Sequence, residues 1–240
     1  MDFIIRTAER NILIGGASSF LFNSCKNYLA DEGVDPDIRI RIDDSMIRAE
    51  AEHHQQDGET LGKKAAESVL VHRLIVEAML DYGVFLMHGA AIAVGNEAYL
   101  FSARSGTGKT THIQKWLQSL MDSYVVNGDK PMIAVRPDGV LACGTPWCGK
   151  EHFGKNAVVP LRRIVFMQRD QDNRMEVIPF RSAFPMLLEQ IYRPSDVDQM
   201  RKTLNLLSGL RDRVTFYKFY FNNFRDDAFQ VSYNTLTRRD

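Results

Sequence analysis

The chain has little cysteine and no surplus of either charge. Its three cysteines, Cys25, Cys143 and Cys148, are odd in number and show no C-x-x-C spacing. That argues against a disulfide framework and against a structural zinc site. Lys plus Arg equals Asp plus Glu at 30 each, with no basic block. Bulk electrostatics therefore gives no reason to expect a nucleic acid or a membrane as partner. No segment approaches the roughly 18 apolar residues of a membrane span. The opening residues Met1-Asp2-Phe3-Ile4-Ile5-Arg6 lack the long apolar core of a signal peptide, so a cytoplasmic location is expected. Repeats and low-complexity tracts are absent as well. What remains is 240 residues, 45% of them hydrophobic, enough for one substantial core and a small accessory lobe.

Against that plain background, Ala103-Arg104-Ser105-Gly106-Thr107-Gly108-Lys109-Thr110-Thr111 stands out. It ends in the G-K-[ST] of a phosphate-binding loop, where backbone N–H groups of a Gly-rich turn and a helix N-terminus point at a polyphosphate. From average usage, G-x-G-K-[ST] arises by chance in roughly one chain of this size in a hundred. Lys109 can neutralise β- and γ-phosphate charge, and the Thr110 hydroxyl can ligate Mg²⁺. The usual first glycine is replaced by Ala103, which makes a left-handed backbone less accessible there. The competing reading is a flexible Gly-Ser turn carrying an exposed lysine.

The surroundings suit the motif. Ala90 to Val94 and Ala98 to Ser102 read as strands joined by the three residues Gly95-Asn96-Glu97. Ile113, Trp116, Leu117 and Leu120 recur at helical spacing, which predicts a helix from Thr110 to about Met121. Further strands are predicted at Phe3 to Arg6, Ile12 to Ile14, Ile38 to Ile42, Tyr124 to Val126, Met132 to Val135, Val140 to Ala142, Ile164 to Gln168, Glu176 to Ile178 and Val214 to Phe221. Helices are predicted near Phe20 to Leu29, Leu61 to Tyr82, Ser182 to Tyr192 and Val197 to Leu207, with a closing helix from about Arg225. Gln55-Gln56-Asp57-Gly58-Glu59 reads as a polar loop, and His53-His54 before it as solvated histidines rather than metal ligands. A hairpin before the phosphate loop and consecutive strands after it imply a mixed, largely antiparallel sheet in an α/β (α+β) fold. The division expected is a small β-rich N-terminal lobe, residues 1–60, and a nucleotide-binding domain, residues 61–240.

Several of these segments resemble the catalytic domain of HPr kinase/phosphorylase, of the phosphoenolpyruvate-carboxykinase-like P-loop fold. They are Met87-His88-Gly89-Ala90-Ala91, the hairpin, Ser105 to Thr110, Asn127-Gly128-Asp129 and Gly144-Thr145-Pro146-Trp147-Cys148-Gly149-Lys150-Glu151. The resemblance is strongest over residues 85–152. A weaker likeness runs through Val159-Pro160-Leu161, Tyr192-Arg193-Pro194 and the C-terminal strand and helix. The first 60 residues do not match the N-terminal domain of full-length HPr kinases.

The resemblance implies ATP and Mg²⁺ as cofactors, with Arg104, Ser105, Gly106, Thr107, Gly108, Lys109, Thr110 and Thr111 around the phosphates and Thr110 and Asp129 on the metal. It places His88 beside the transferring phosphate; from spacing alone His88 reads as a satisfied strand histidine. Asp129 otherwise reads as a turn aspartate before Lys130-Pro131. Relatives commonly carry two consecutive aspartates where this chain has Gly128-Asp129, so the general base is Asp129, His88 or Glu151. Lys150 either supplies transition-state charge, with Glu151 orienting it or contacting substrate, or both are solvated beside a loop anchored by Trp147. Arg193 is a further phosphate-binding candidate, and Cys148 has no base committed to it. The implied activity is phosphoryl transfer to a serine-type hydroxyl of a peptide, protein or small molecule. Reverse phosphorolysis, a nucleotide-binding regulatory or scaffold role and keto-acid decarboxylation are the rivals. Homo-oligomers occur among the larger relatives.

Overall fold

The three-residue run Ala98-Tyr99-Leu100 and the four-residue run Ile164-Val165-Phe166-Met167 are apolar at every position, and in the folded chain every one of these residues is buried. Strands of this kind belong between parallel neighbours with both faces covered. In a computed structural model of the chain, describing residues 1–56, 58–222 and 224–238, the second run lies between two parallel neighbours, whereas the first has one parallel and one antiparallel neighbour.

The chain opens with β1 (Phe3–Thr7) and β2 (Arg10–Gly15), passes through the short helix α1 (Ser19–Ser24) and a 3-10 turn, and reaches β3 (Ile38–Arg41). These three strands form a separate small sheet, β1 antiparallel and β3 parallel to β2. Two helices follow, α2 (Asp44–Gln56) and α3 (Lys63–Met79). Asp43 starts α2 by accepting the backbone N–H groups of Ser45 and Met46 at 2.8 and 2.9 Å. Gln55 and Gln56 thus belong to a helix rather than to the polar loop expected, and Asp57 lies outside the described residues.

The large sheet is built from β4 (Val84–Leu86), β5 (Ala90–Val94) and β6 (Glu97–Ser102), then α4 (Lys109–Ser119), then β7 (Ser123–Asn127), β8 (Met132–Arg136), β9 (Gly139–Cys143), β10 (Val158–Arg169) and β11 (Arg174–Ile178). Helices α5 (Phe180–Gln190) and α6 (Val197–Ser208), β12 (Thr215–Phe221) and α7 (Ala228–Leu236) complete it. The hairpin loop between β5 and β6 has two residues, not three, because Val94 pairs with Glu97.

The nine strands make one curled, mixed sheet, pivoting on β10. Its first residues pair antiparallel with β9, and its last lie parallel between β6 and β12. β5 is antiparallel to both β6 and β7. The predicted predominance of antiparallel pairing in an α+β arrangement holds.

Alternate residues of the central strands feed two cores. Ile92, Tyr99, Phe101 and Val165 pack with Ile113 and Trp116 of α4 and Leu236 of α7, whereas Ala91, Leu100, Ile164 and Phe166 pack with Ala183 and Leu187 of α5 and Leu207 of α6. A third core joins the small sheet to α3 and reaches Val84, Leu86, Met132 and Cys143 of the large one. Each fully buried aliphatic side chain contributes about 1.5–3 kcal/mol of transfer free energy. No helix among the described residues is long and apolar enough to cross a membrane.

Candidate functional site

Because β5 lies between β6 and β7, the segment that enters β5 is flanked by the exit of β6 on one side and the exit of β7 on the other. His88 sits in that entering segment, Lys109 opens the helix after β6, and Asp129 follows β7. Topology alone therefore brings three residues, each about twenty positions from the next, to one place. His88 Nε2 is 3.3 Å from Lys109 Nζ and 3.5 Å from Asp129 Oδ1. The Gly89 N–H donates to the Asp129 carbonyl at 2.9 Å, tying the two segments together.

The imidazole is held from behind by α5. The His88 backbone N–H donates to the Gln190 carbonyl at 2.6 Å, and Nδ1 lies 3.1 Å from Gln190 Oε1. Gln190 Oε1 faces Nδ1, while Nε2 faces both the Lys109 ammonium, a donor, and the Asp129 carboxylate, an acceptor. Ser102 Oγ closes the arrangement by donating to the His88 carbonyl at 2.7 Å.

The loop between β6 and α4 turns on Gly106 (φ 74°) and Gly108 (φ 115°). A Cβ at Gly108 would come within 2.9 Å of Cε1 of the buried Phe221 ring, so this position excludes a side chain on two grounds. Ala103 is not among the left-handed residues; its methyl is buried in the core with Phe101 and Ile113. The loop thus does not require a glycine there. The first bond of α4 runs from the His112 N–H to the Gly108 carbonyl at 3.0 Å. The preceding N–H groups of its first turn are left without intrahelical partners.

Lys109 Nζ donates to the Ala103 carbonyl at 2.8 Å. Burial lowers the Lys109 pKa, and Asp129 partly offsets this. The Asp129 carboxyl is held below its usual range mainly by its bond to His88, against the opposing effect of burial, with Lys130 and Lys109 adding to the depression. Thr110 is half-buried and its hydroxyl has no hydrogen-bond partner among the described residues, while Arg104, exposed, pairs with Glu189 at 3.5 Å. Ser105 and Thr111 are exposed, and the Thr107 hydroxyl donates to the Arg104 carbonyl at 2.8 Å.

Asn127 builds the turn that presents Asp129. Its Oδ1 accepts the N–H groups of Asp129 and Lys130 at 2.9 and 2.7 Å, and its Nδ2 donates to Thr145 Oγ1 at 2.9 Å. Gly128 lies against the segment 148–153: a Cβ would stand 3.1 Å from the carbonyls of both Cys148 and Phe153. A side chain at position 128 would press on both carbonyls, so the segment 148–153 would have to give by a few tenths of an ångström to admit one. Trp147 is turned inward, stacking on His72 at 4.5 Å and donating to Ser68 Oγ at 3.0 Å. Lys150 and Glu151 are exposed and form no ion pair with each other. Burial raises the Cys148 pKa, the opposite of what a nucleophilic thiol needs.

Three contributors were not legible in the sequence as site residues. Gln190 lies 102 positions from the histidine it orients. Asn127 was within a recognisable motif but had no role. Arg169, at the end of β10, places its guanidinium on the Gly106 and Thr107 carbonyls, and nothing local distinguishes it from other arginines. His53 and His54 lie in the last turn of α2, where His54 contacts Glu50 and Glu59 at 3.7 and 3.3 Å. No cluster of three or more His, Cys, Asp or Glu residues suited to a metal ion occurs among the described residues.

No family model and no curated protein sequence matches this chain. Among solved structures, the HPr(Ser) kinase/phosphatase from Coxiella burnetii is similar over 62% of this chain and 89% of its own, with 10% sequence identity and a TM-score of 0.37. The structural relationship to that fold is distant.

Proposed function

We propose that the chain is a P-loop phosphotransferase of the phosphoenolpyruvate-carboxykinase-like type, moving the γ-phosphoryl group of ATP to a hydroxyl with Mg²⁺ as cofactor. Residues 61–240 form its nucleotide-binding domain and residues 1–60 a small lobe. The observation that carries this reading is the meeting of His88, Lys109 and Asp129 within 3.5 Å, beside a glycine loop with unpartnered helix N–H groups.

Lys109, the loop amides and the residues from Arg104 to Thr111 hold the phosphates. The hard oxygen donors Thr110 Oγ1 and Asp129 fit Mg²⁺, which neutralises phosphate charge when bound. As the acceptor oxygen bonds to the γ-phosphorus, the bridging oxygen leaves with ADP and the hydroxyl proton passes to His88 Nε2 or to Asp129. Lys109, released from the Ala103 carbonyl, gains a partner whose charge favours its protonated form. The exposed Lys150 and Glu151 are left to acceptor contact at the rim.

Lys109→Ala and Asp129→Ala should each lower transfer from ATP to a hydroxyl acceptor by about a hundredfold or more, read as loss of the 80 Da product mass shift, with circular dichroism unchanged. Wild-type transfer rates in both variants would refute the assignment. A nucleotide-binding regulatory role is the second reading, favoured by the single carboxylate of Gly128-Asp129. It predicts ATP binding without phosphorylated product.

A further inference from the structure

Helices α2 and α3 stand over the edge of the large sheet, and between them and residues 189–195 lies a cavity of about 840 Å³. Its floor is fixed by backbone pairing: Met87 bridges to Ile191, and the Tyr192 N–H donates to the Leu86 carbonyl at 3.1 Å. His88 and Lys130 line one end of it, whereas no residue of the 103–111 loop does. A second cavity of about 560 Å³ is lined by Ala103, Arg104, Thr107 and Arg169. Glu189 and Gln190 are common to both. His88 therefore lines the larger cavity, which holds no part of the phosphate loop, and only Glu189 and Gln190 connect that cavity to the one that does. The larger cavity has the size and mostly apolar lining of a small-molecule site.

Its polar groups are unevenly satisfied. Glu50, almost fully buried, takes the Arg73 guanidinium at 2.6 Å, and Glu77 accepts the Tyr192 hydroxyl at 2.6 Å. Lys130, whose charge also acts on the neighbouring Asp129, and the exposed Arg193 form no ion pair within 4.0 Å among the described residues. His72, only 7% exposed, lines the same cavity with its Nε2 unpartnered. A buried ring nitrogen without a partner is costly unless something bonds to it. Acids already matched, two cations with no ion pair among the described residues and an orphaned imidazole together describe a site for a ligand with an anionic end and at least one further polar group.

We infer that this cavity is the acceptor site, and that it takes a small hydroxyl compound whose anionic group is held by Arg193 and Lys130 while its hydroxyl faces His88. The inference rests on the phosphotransferase reading for the transfer step but not for the binding step, so the two can fail separately. The acceptor enters between α2 and α3, and the size of the cavity limits it to a metabolite or to one residue of a flexible peptide.

The test uses D-glycerate and N-acetyl-L-serine, each against its neutral amide, in calorimetric titrations and in Mg-ATP transfer assays on the full chain. Each acid should bind more tightly than its amide by about tenfold to a hundredfold, the range expected for a charge-assisted hydrogen bond. Arg193→Gln should abolish that preference, and Ala49→Trp, at an exposed position on the cavity wall, should block both ligands while Mg-ATP still binds. Acid binding that depends on Arg193 but yields no phosphorylated product would support the cavity assignment and remove the phosphotransferase reading. Equal binding of acid and amide, binding indifferent to both substitutions, or no binding of either acid would overturn the inference, whatever the transfer assay shows.

Discussion

His72 and His112 are buried, and burial brings each imidazole down to a pKa of about 3, with Lys130 near the first and Lys115 near the second acting in the same direction. An unfolded chain titrates its histidines near 6.5. Between about 6.5 and 3 the unfolded state thus holds two protons that the folded state refuses, so stability rises with pH across that window and falls on acidification. From pH 7 to pH 5 the loss is at most about 2 kcal/mol per histidine. Urea unfolding at the two pH values should show it as a lower midpoint at pH 5, and superimposable curves would contradict the burial of neutral rings. Asp129 adds nothing in that range. Its depressed pKa contributes stability that is present above the unfolded carboxylate value, near 3.9, and lost only as pH falls through the lower folded value.

The β6–α4 connection shows how a loop motif is written into an element rather than into single residues. Ala103 departs from the expected glycine at no conformational cost, because its backbone is not left-handed and its methyl is packed. Gly108 has no such latitude, being held at φ 115° against Phe221. Gly108→Ala should therefore cost about 1–3 kcal/mol in chemical denaturation, whereas Ala103→Gly should cost no more than about 1 kcal/mol. Equal stability of Gly108→Ala and wild type would remove the packing argument. Strands with apolar runs, such as β5, β6 and the second half of β10, were legible because burial on both faces leaves that imprint; the first half of β10, broken by Pro160, Arg162 and Arg163, was not predicted. Nor was any part of α2, whose sequence is polar enough to look like a loop and whose last turn carries Gln55 and Gln56.

Across the whole molecule, what the sequence revealed and what it hid divide by range. His88, Lys109 and Asp129 each lie in a short recognisable segment, and the hairpin between the first two makes their convergence legible. Gln190, Arg169 and the cavity under α2 and α3 arise from pairings across the chain, between segments whose local composition is ordinary. The same long-range packing crowds the position of the absent second carboxylate, since Gly128 is closely approached by residues 148–153 rather than by its own turn. The proposed phosphate site has one acid, one histidine and one lysine, and everything proposed about its chemistry depends on that site binding a nucleotide. Calorimetric titration of Mg-ATP into the wild-type chain and into Lys109→Ala tests this most directly. The account predicts saturable one-to-one binding that Lys109→Ala weakens by about tenfold to a hundredfold. Absence of binding to the wild type, or equal affinity in the variant, would contradict it.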